Sequence, residues 1–184
     1  MSTTESFSDL RDIPGVTHRL VTANGVRLHV AEAGSGEPVM LLHGWPQHWW
    51  MWRKVIPALA ERYRVIVPDL RGSGWSEAPK PRPGEHPSRS TATMHLYRTF
   101  FFREVPAVAL GRYVSGRLTV PTRLLFGADD PVVLRSVVEA DHSRRADDLS
   151  VRIVENCGHF IVDEQPELVT EELLQWFDAS NDVN

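Results

Sequence analysis

Cysteine is almost absent from this 184-residue sequence, in which Cys157 stands alone. A single cysteine excludes an internal disulfide and a zinc site built from several thiolates. The sequence also has no surplus of positive charge, since 20 lysines and arginines face 24 aspartates and glutamates. A chain with a net charge of −4 has little with which to neutralise a phosphate backbone, so we predict no nucleic-acid partner.

Long apolar runs are missing as well. The longest uncharged stretch, residues 38–52, contains Pro46, Gln47 and two histidines and is shorter than the roughly 18 apolar residues of a membrane span. The N-terminus is polar and does not have the pattern of a signal peptide. We therefore predict a cytoplasmic protein with no membrane partner, and no motif predicts a metal or a cofactor.

The first half of the chain predicts a pair of strands. A strand, a helix and a further strand are predicted after this pair. Residues 18–22 and 26–33 alternate apolar and polar side chains around Asn24-Gly25, which predicts an antiparallel hairpin. Apolar runs at 39–42 and 65–67 predict strands covered on both faces, joined by a helical pattern. A strand, a helix and a strand in this order predict a parallel crossover.

The second half repeats the same alternation. We predict strands at 122–126 and 150–154, and helices at 131–145 and 166–177. The fold class is therefore α/β, with a largely parallel sheet. We expect the buried strands of both halves to lie parallel in one sheet.

A glycine-containing turn, His43-Gly44-Trp45-Pro46, follows the first buried strand. Ligands of parallel sheets bind at this end of the strands. The N–H of Trp45 there would stabilise negative charge on an oxygen atom. A plain turn between strand and helix explains the same residues, and both interpretations stay open. Four tryptophans (Trp45, Trp49, Trp50 and Trp52) favour an aromatic wall beside an apolar pocket over surface packing beneath a lid.

A second turn, with the sequence DLRGSGWS at residues 69–76, follows the next strand. Its two glycines are not followed by the Lys-Ser/Thr pair of a phosphate-binding loop. We predict instead a structured turn in which Asp69 binds local backbone N–H groups.

An acidic pair and a histidine follow the two later strands. Asp129 and Asp130 come after strand 122–126, and His159 comes after strand 150–154. An acid followed later by a histidine is the order found in hydrolase triads, in which the carboxylate orients the imidazole and the imidazole acts as general base. A turn aspartate and a structural histidine are the alternative, and the position of both at strand ends favours catalysis.

Four motifs in order, HGWPQ, DLRGSGWS, LFGADDP and CGHF, resemble those of α/β-hydrolases, and among these most closely epoxide hydrolases. The resemblance covers residues 16–79 and 93–177. It implies a partial α/β-hydrolase fold, with a mostly parallel sheet, an N-terminal antiparallel hairpin and a remnant of a helical lid.

The resemblance also implies roles for particular residues. The turn formed by His43, Gly44, Trp45 and Pro46 would lie on the oxyanion side of the site. Asp130 would be the triad acid and His159 the base, with Asp130 rather than Asp129 in contact with His159. Tyr97 resembles the lid tyrosine that donates a proton to the epoxide oxygen, with an ordinary packing role as the alternative.

The nucleophile of the family is missing. Neither G-x-S-x-G nor G-H-D-x-G occurs in the sequence, and Ser35, Ser73 and Cys157 lie in other contexts. The family elements between residues 79 and 93 would need about 48 residues, whereas the proline-rich segment 80–92 supplies 13. We therefore predict an internal deletion of the nucleophile segment, and a junction without regular secondary structure.

The predicted organisation has six parts. These are a tail (1–15), the N-terminal half of the core (16–79), the junction (80–92), a lid remnant (93–117), the C-terminal half of the core (118–178) and a second tail (179–184).

We predict an epoxide-hydrolase-like protein that is impaired or inactive because it lacks its nucleophile. A noncatalytic remnant that binds apolar ligands is the alternative, and a hydrolase in which His159 directly activates water is a third. The expected partner is a small apolar molecule such as an epoxide or an ester. Unpaired strand edges would also leave the chain open to self-association.

Overall fold

The computed structural model describes residues 12–78, 83, 89–104, 106–107, 110, 112 and 116–181. The chain divides into two compact units. Unit 1 comprises Met1–Ala92 together with Glu167–Asn184, and unit 2 comprises Thr93–Pro166.

Six strands and five α-helices position the residues considered below. The strands are β1 (Thr17–Ala23), β2 (Val26–Ala33), β3 (Pro38–Met40), β4 (Arg64–Pro68), β5 (Thr122–Gly127) and β6 (Leu149–Val154). The helices are α1 (Ile56–Ala60), α2 (Arg89–Thr99), α3 (Arg135–Val138), α4 (Ile161–Glu164) and α5 (Pro166–Asn181). A 3₁₀ turn at Trp49–Trp52 precedes α1, and a π-helical turn at Phe100–Glu104 follows α2.

The predicted hairpin is confirmed. Strands β1 and β2 pair antiparallel, and the turn between them places Asn24 at φ 50° and Gly25 at φ 74°. Asparagine and glycine tolerate this left-handed region better than other residues, which explains why the turn forms here.

Unit 1 contains a four-stranded mixed sheet in the order β1-β2-β4-β3. Strand β4 pairs antiparallel with β2 and parallel with β3, so the predicted parallel crossover is confirmed. Its inward side chains, Val65 and Val67, are buried with Ile56 and Leu59 of α1. Burial of such side chains stabilises the unit by roughly 1.5–3 kcal/mol each.

Within unit 1, a carboxylate near the end of helix α5 contacts residues that follow α1. Asp178 accepts hydrogen bonds from the Arg62 guanidinium at 2.7 Å and from the Tyr63 hydroxyl at 2.9 Å. The Tyr63 ring also packs edge-on against Phe177, with centroids 5.6 Å apart. These contacts bring the C-terminal helix back to residues more than 100 positions earlier in the chain.

Unit 2 contains a two-stranded parallel sheet formed by β5 and β6. The parallel pairing is as predicted, but the prediction of one sheet for all buried strands is wrong, because the described strands form two sheets. The physical reason is the pairing of backbone hydrogen bonds. Among the described strands, β3 pairs only with β4 and β5 pairs only with β6, so no ladder joins the two groups.

Two predicted local structures are also corrected. The helix expected at 131–145 is reduced to the four residues of α3, because Leu134 has an extended backbone (φ −72°, ψ 130°) that separates α3 from the turn at Asp130. Within the junction, residues 89–92 are helical as the start of α2. No proline occurs between Pro87 and Pro106, so nothing removes the backbone donors that a helix needs there. Residues 80–82 and 84–88 of the junction lie outside the described part of the chain.

Among the described residues, no helix combines the length and the apolar character that crossing a membrane would require.

Candidate active site

The turns after β5 and β6 bring an acid and a histidine together in unit 2. Asp130 Oδ2 lies 2.9 Å from His159 Nδ1. The side chain of Asp130 is only 6% exposed, whereas that of His159 is 38% exposed. An enclosed carboxylate thus supports an imidazole that solvent or a small molecule can reach.

Hydrogen bonding defines the electrostatics of this pair. Burial would raise the pKa of the Asp130 carboxyl, but hydrogen bonds from His159 and from the backbone N–H groups of Val132 and Val133 outweigh it and lower that pKa. Asp130 is therefore an ionised acceptor at neutral pH, and His159 donates its Nδ1–H to it. This tautomer leaves His159 Nε2 with a lone pair that can accept a proton.

Backbone contacts hold the two turns against each other. The Asp129 N–H donates to the Cys157 carbonyl at 2.9 Å, and the Ala128 N–H donates to the Val154 carbonyl at 2.8 Å. A Cβ atom on Gly127 would lie 2.2 Å from the carbonyl oxygen of Gly158. Glycine at position 127 therefore permits the close approach that places Asp130 beside His159.

Glu164 is a contributor that sequence reasoning missed. Its carboxylate accepts hydrogen bonds from the N–H groups of Gly158 at 2.6 Å and Phe160 at 3.0 Å. These residues stand on either side of His159. The sequence signal that could have found Glu164 is a glutamate four residues after the N-cap residue of a helix. This arrangement is related to the capping box.

The glycine-containing turn lies in unit 1 and is organised by His43. Its Nε2 accepts the Leu70 N–H at 2.9 Å, so its Nδ1 carries the proton and donates to the Gly44 carbonyl at 3.0 Å. The ring of His43 is buried, whereas Gly44, Trp45 and Pro46 are exposed. The imidazole therefore shapes the turn, and the three residues after it form the surface of the turn.

The DLRGSGWS turn of unit 1 is held by Asp69, as predicted. Asp69 Oδ2 accepts the Trp75 N–H at 2.9 Å, and Oδ1 accepts the Trp49 N–H at 2.8 Å. Burial would raise the pKa of the Asp69 carboxyl, but hydrogen bonds from His29 and from these two N–H groups lower it. The carboxylate is fully buried and serves the structure of unit 1.

A histidine pair extends from Asp69 toward the surface and was not predicted. His29 Nδ1 lies 2.8 Å from Asp69 Oδ2, and His29 Nε2 lies 3.0 Å from His18 Nδ1. His29 is completely buried, and His18 is half-buried. The two residues face each other across the β1/β2 hairpin, a pairing that strand periodicity alone does not reveal.

The stability of unit 1 is expected to fall as the pH drops below about 6.5, the ordinary pKa of histidine. Burial, reinforced by His29, lowers the pKa of His18 against the opposing effects of Asp12 and Asp69. The unfolded chain then binds the proton more readily than the folded chain, so protonation favours unfolding. Urea midpoints measured by tryptophan fluorescence between pH 7.5 and 5.5 check this.

His18→Gln is expected to reduce the slope of midpoint against pH in that window. His95→Gln, in unit 2, serves as the matched control and is expected to leave the slope unchanged. An unchanged slope in His18→Gln would contradict the assignment.

The tryptophan cluster differs from its predicted arrangement. Trp49 is buried in unit 1, where its ring packs edge-on against His18 at 4.8 Å and Trp50 at 5.3 Å between centroids. Trp49 is thus a core residue and not part of an aromatic wall, because strand β2 and the Asp69 turn enclose it. Trp45 is exposed.

Two further candidate residues, Tyr97 and Cys157, belong to unit 2. Tyr97 is half-buried within α2 of unit 2. The buried Cys157 thiol has its pKa raised by burial and then by the charge of Glu164, so it is no activated nucleophile. Within the described residues, no group of three or more histidine, cysteine, aspartate or glutamate side chains is arranged to hold a metal ion.

Comparison with known proteins shows what the chain is similar to. Residues 37–107 match the family model described as alpha/beta hydrolase fold. The soluble epoxide hydrolase of Corynebacterium sp. (strain C12) is 61% identical over 64 residues, which are 35% of this chain and 22% of that protein. Epoxide hydrolase 1 of Siraitia grosvenorii is 43% identical over 81 residues, which are 44% of this chain and 24% of that protein.

Solved structures extend the likeness to most of the chain. The epoxide hydrolase VrEH1 from Vigna radiata aligns with a TM-score of 0.70 and 16% identity, covering 92% of this chain and 100% of that one. The protein is epoxide-hydrolase-like, with a partial α/β-hydrolase fold. The structural likeness establishes the fold of this epoxide-hydrolase-like chain, and the sequence matches span only about a quarter of the two relatives.

Proposed function

We propose that this chain retains the acid and the base of epoxide hydrolysis but lacks the nucleophile, and that it does not hydrolyse epoxides or esters through a covalent intermediate. The observation that carries the proposal is the Asp130–His159 pair, with its 2.9 Å hydrogen bond and its half-exposed imidazole. The pair has the composition and chain order of a hydrolase acid and base.

The intact reaction has two steps. A carboxylate attacks an epoxide carbon, the C–O bond breaks and the ring oxygen takes up a proton; water then cleaves the resulting ester to give the diol. In this proposal His159 Nε2 takes the proton from that water, and Asp130 stabilises the imidazolium that forms. Without a carboxylate to attack, no ester forms, and the base has no intermediate on which to act.

Two further residue roles belong to the proposal. The exposed turn at Gly44, Trp45 and Pro46 supplies the backbone N–H of Trp45 for a developing oxyanion. Tyr97 on the lid remnant donates the proton to the epoxide oxygen. A small apolar molecule, an epoxide or an ester, is the proposed ligand, and the cytoplasm is the proposed location.

The exposed end of β3 supports a missing internal segment. The side chains of Met40 and Leu42, at the end of β3, are 60% and 52% exposed, as expected where a neighbouring strand is absent. Such an edge also supports self-association as a proposal.

Turnover measurements test the proposal. The purified chain is expected to hydrolyse a generic aryl epoxide and a generic aryl ester no faster than His159→Ala does. Direct activation of water by His159 would instead contribute about 10²- to 10⁴-fold. Turnover that His159→Ala and Asp130→Asn abolish, and that the matched Asp129→Asn retains, would contradict the missing nucleophile.

A chimera tests the deletion itself. The internal segment of the Corynebacterium relative, inserted at the junction between residues 79 and 90, is expected to confer epoxide turnover that depends on His159. A folded chimera without turnover would argue for the alternative, a noncatalytic protein that binds apolar ligands. Equilibrium binding of the epoxide and its diol to the unmodified chain would then identify such a protein.

A further inference from the structure

One exposed carboxylate contacts the loop that carries His159. Glu164, the last residue of α4, accepts the Gly158 N–H at 2.6 Å and the Phe160 N–H at 3.0 Å. Each oxygen of the carboxylate binds one amide, and the two amides belong to the neighbours of His159. The backbone on both sides of the imidazole is therefore tied to one rigid group.

The carboxylate fits closely against this loop. A Cβ atom on Gly158 would lie 3.2 Å and 3.4 Å from the two Glu164 carboxylate oxygens. The loop also packs against Gly127, where an added Cβ would lie 2.2 Å from the Gly158 carbonyl oxygen. Gly158 is thus close to both the end of β5 and the Glu164 carboxylate.

The same loop has other contacts with the acid-bearing turn. The Asp129 N–H donates to the Cys157 carbonyl, and His159 Nδ1 lies 2.9 Å from Asp130 Oδ2. Glu164 adds contacts from helix α4, where its bond to the Phe160 N–H caps the helix. The second bond, to the Gly158 N–H, reaches beyond the N-cap residue Phe160 and acts on the histidine loop.

We propose that Glu164 is a positioning residue for His159, because its two-point contact with the flanking amides holds the imidazole at hydrogen-bonding distance from Asp130. This inference rests on the proposed function, in which the Asp130–His159 pair is the acid and base. Glu164 touches neither reacting atoms nor substrate, and it acts through the backbone.

The test compares Glu164→Gln with Glu167→Gln in the full chain. Both variants lose one exposed acidic charge, and they stand three residues apart. Glutamine presents an NH₂ group where one backbone N–H needs an acceptor, so Glu164→Gln loses at least one of the two bonds. Amide exchange at Gly158 and Phe160 is expected to accelerate about tenfold or more, as for loss of a charged hydrogen bond.

The deciding measurement is the NMR resonance of the proton on His159 Nδ1. Proton NMR at low temperature is expected to show a downfield Nδ1–H resonance in the unmodified chain, absent from Asp130→Asn. We expect this resonance to broaden or vanish in Glu164→Gln and to persist in Glu167→Gln. A resonance that persists in Glu164→Gln despite faster amide exchange would reduce Glu164 to a helix cap and overturn the proposal.

The outcomes separate this inference from the proposed function. Absence of the resonance from the unmodified chain would overturn the Asp130–His159 pair itself. Turnover measurements on that chain then decide the function independently. If Glu164→Gln does not fold, Glu164→Asp is measured instead. Its carboxylate is one methylene shorter and cannot reach both amides, so the same loss of the His159 signal is expected, and an unchanged signal would again overturn the proposal.

Discussion

Asp69→Ala is expected to destabilise unit 1 by about 3 to 5 kcal/mol. The substitution removes one acceptor group from three donors, the His29 imidazole and the backbone N–H groups of Trp49 and Trp75. A buried donor left without an acceptor costs about 1–3 kcal/mol. Whole domains are stable by only about 5–15 kcal/mol, so much of the stability of unit 1 would be lost.

Water cannot easily replace the missing carboxylate. Asp69 is completely buried, and a Cβ atom on Gly74 would lie within 2.5 Å of both of its carboxylate oxygens. The Asp69 carbonyl also accepts the Ser76 hydroxyl, whose oxygen in turn accepts the His29 N–H at 2.9 Å. The turn after β4 is therefore connected to β2 by the Asp69 backbone, which Asp69→Ala keeps, and by the carboxylate contact with His29, which it removes.

Tryptophan fluorescence during urea unfolding measures this effect in unit 1 alone. All six tryptophans, Trp45, Trp49, Trp50, Trp52, Trp75 and Trp176, belong to unit 1. Glu61→Ala, which truncates an exposed acid, is the matched control and is expected to change stability by less than about 0.5 kcal/mol. A loss below about 1 kcal/mol in Asp69→Ala would refute the structural role of the carboxylate.

Gly127→Ala is expected to separate the acid from the base and to destabilise unit 2 by about 1–3 kcal/mol. The new methyl group would lie 2.2 Å from the Gly158 carbonyl oxygen and 2.5 Å from the Cys157 carbonyl oxygen. Both atoms belong to backbone, which cannot rotate away as a side chain can. The histidine loop must then move, and its hydrogen bonds to the turn after β5 would break.

Amide exchange and proton NMR check this result. The Asp129 N–H, bonded to the Cys157 carbonyl, is expected to lose protection, and the His159 Nδ1–H resonance is expected to disappear. Gly44→Ala is the matched control for stability, because a Cβ atom there would meet nothing within 4 Å. Retention of both signals in Gly127→Ala would mean that the turns do not need this close approach.

Local sequence signals correctly predicted the parts of the fold that depend on neighbouring residues. The Asn24-Gly25 turn follows from the left-handed backbone that these residues accept. The four principal strand patterns were found within one or two residues of their observed positions. Asp69 was recognised as a turn acceptor because its partner Trp75 lies only six residues away.

Contacts between distant residues required the tertiary structure. Asp69 and His29 are 40 residues apart, and only the pairing of β2 with β4 brings them within 2.8 Å. Trp49 matched the pattern of a pocket wall, but this arrangement buries it. The helix predicted at 131–145 is shorter in the structure because Leu134 is extended, and the Asp130 carboxylate before it binds the N–H groups of Val132 and Val133 as well as His159.

The sequence by itself determined the order of strands and turns, the acidic and histidine residues at the strand ends, and the absence of a nucleophile motif, because each is written in adjacent residues. Only the tertiary structure decided that the described strands form two sheets, that Asp130 contacts His159, and that Glu164 binds the loop that carries His159. These three features depend on hydrogen bonds between segments that are distant in the sequence. Local periodicity does not predict such bonds.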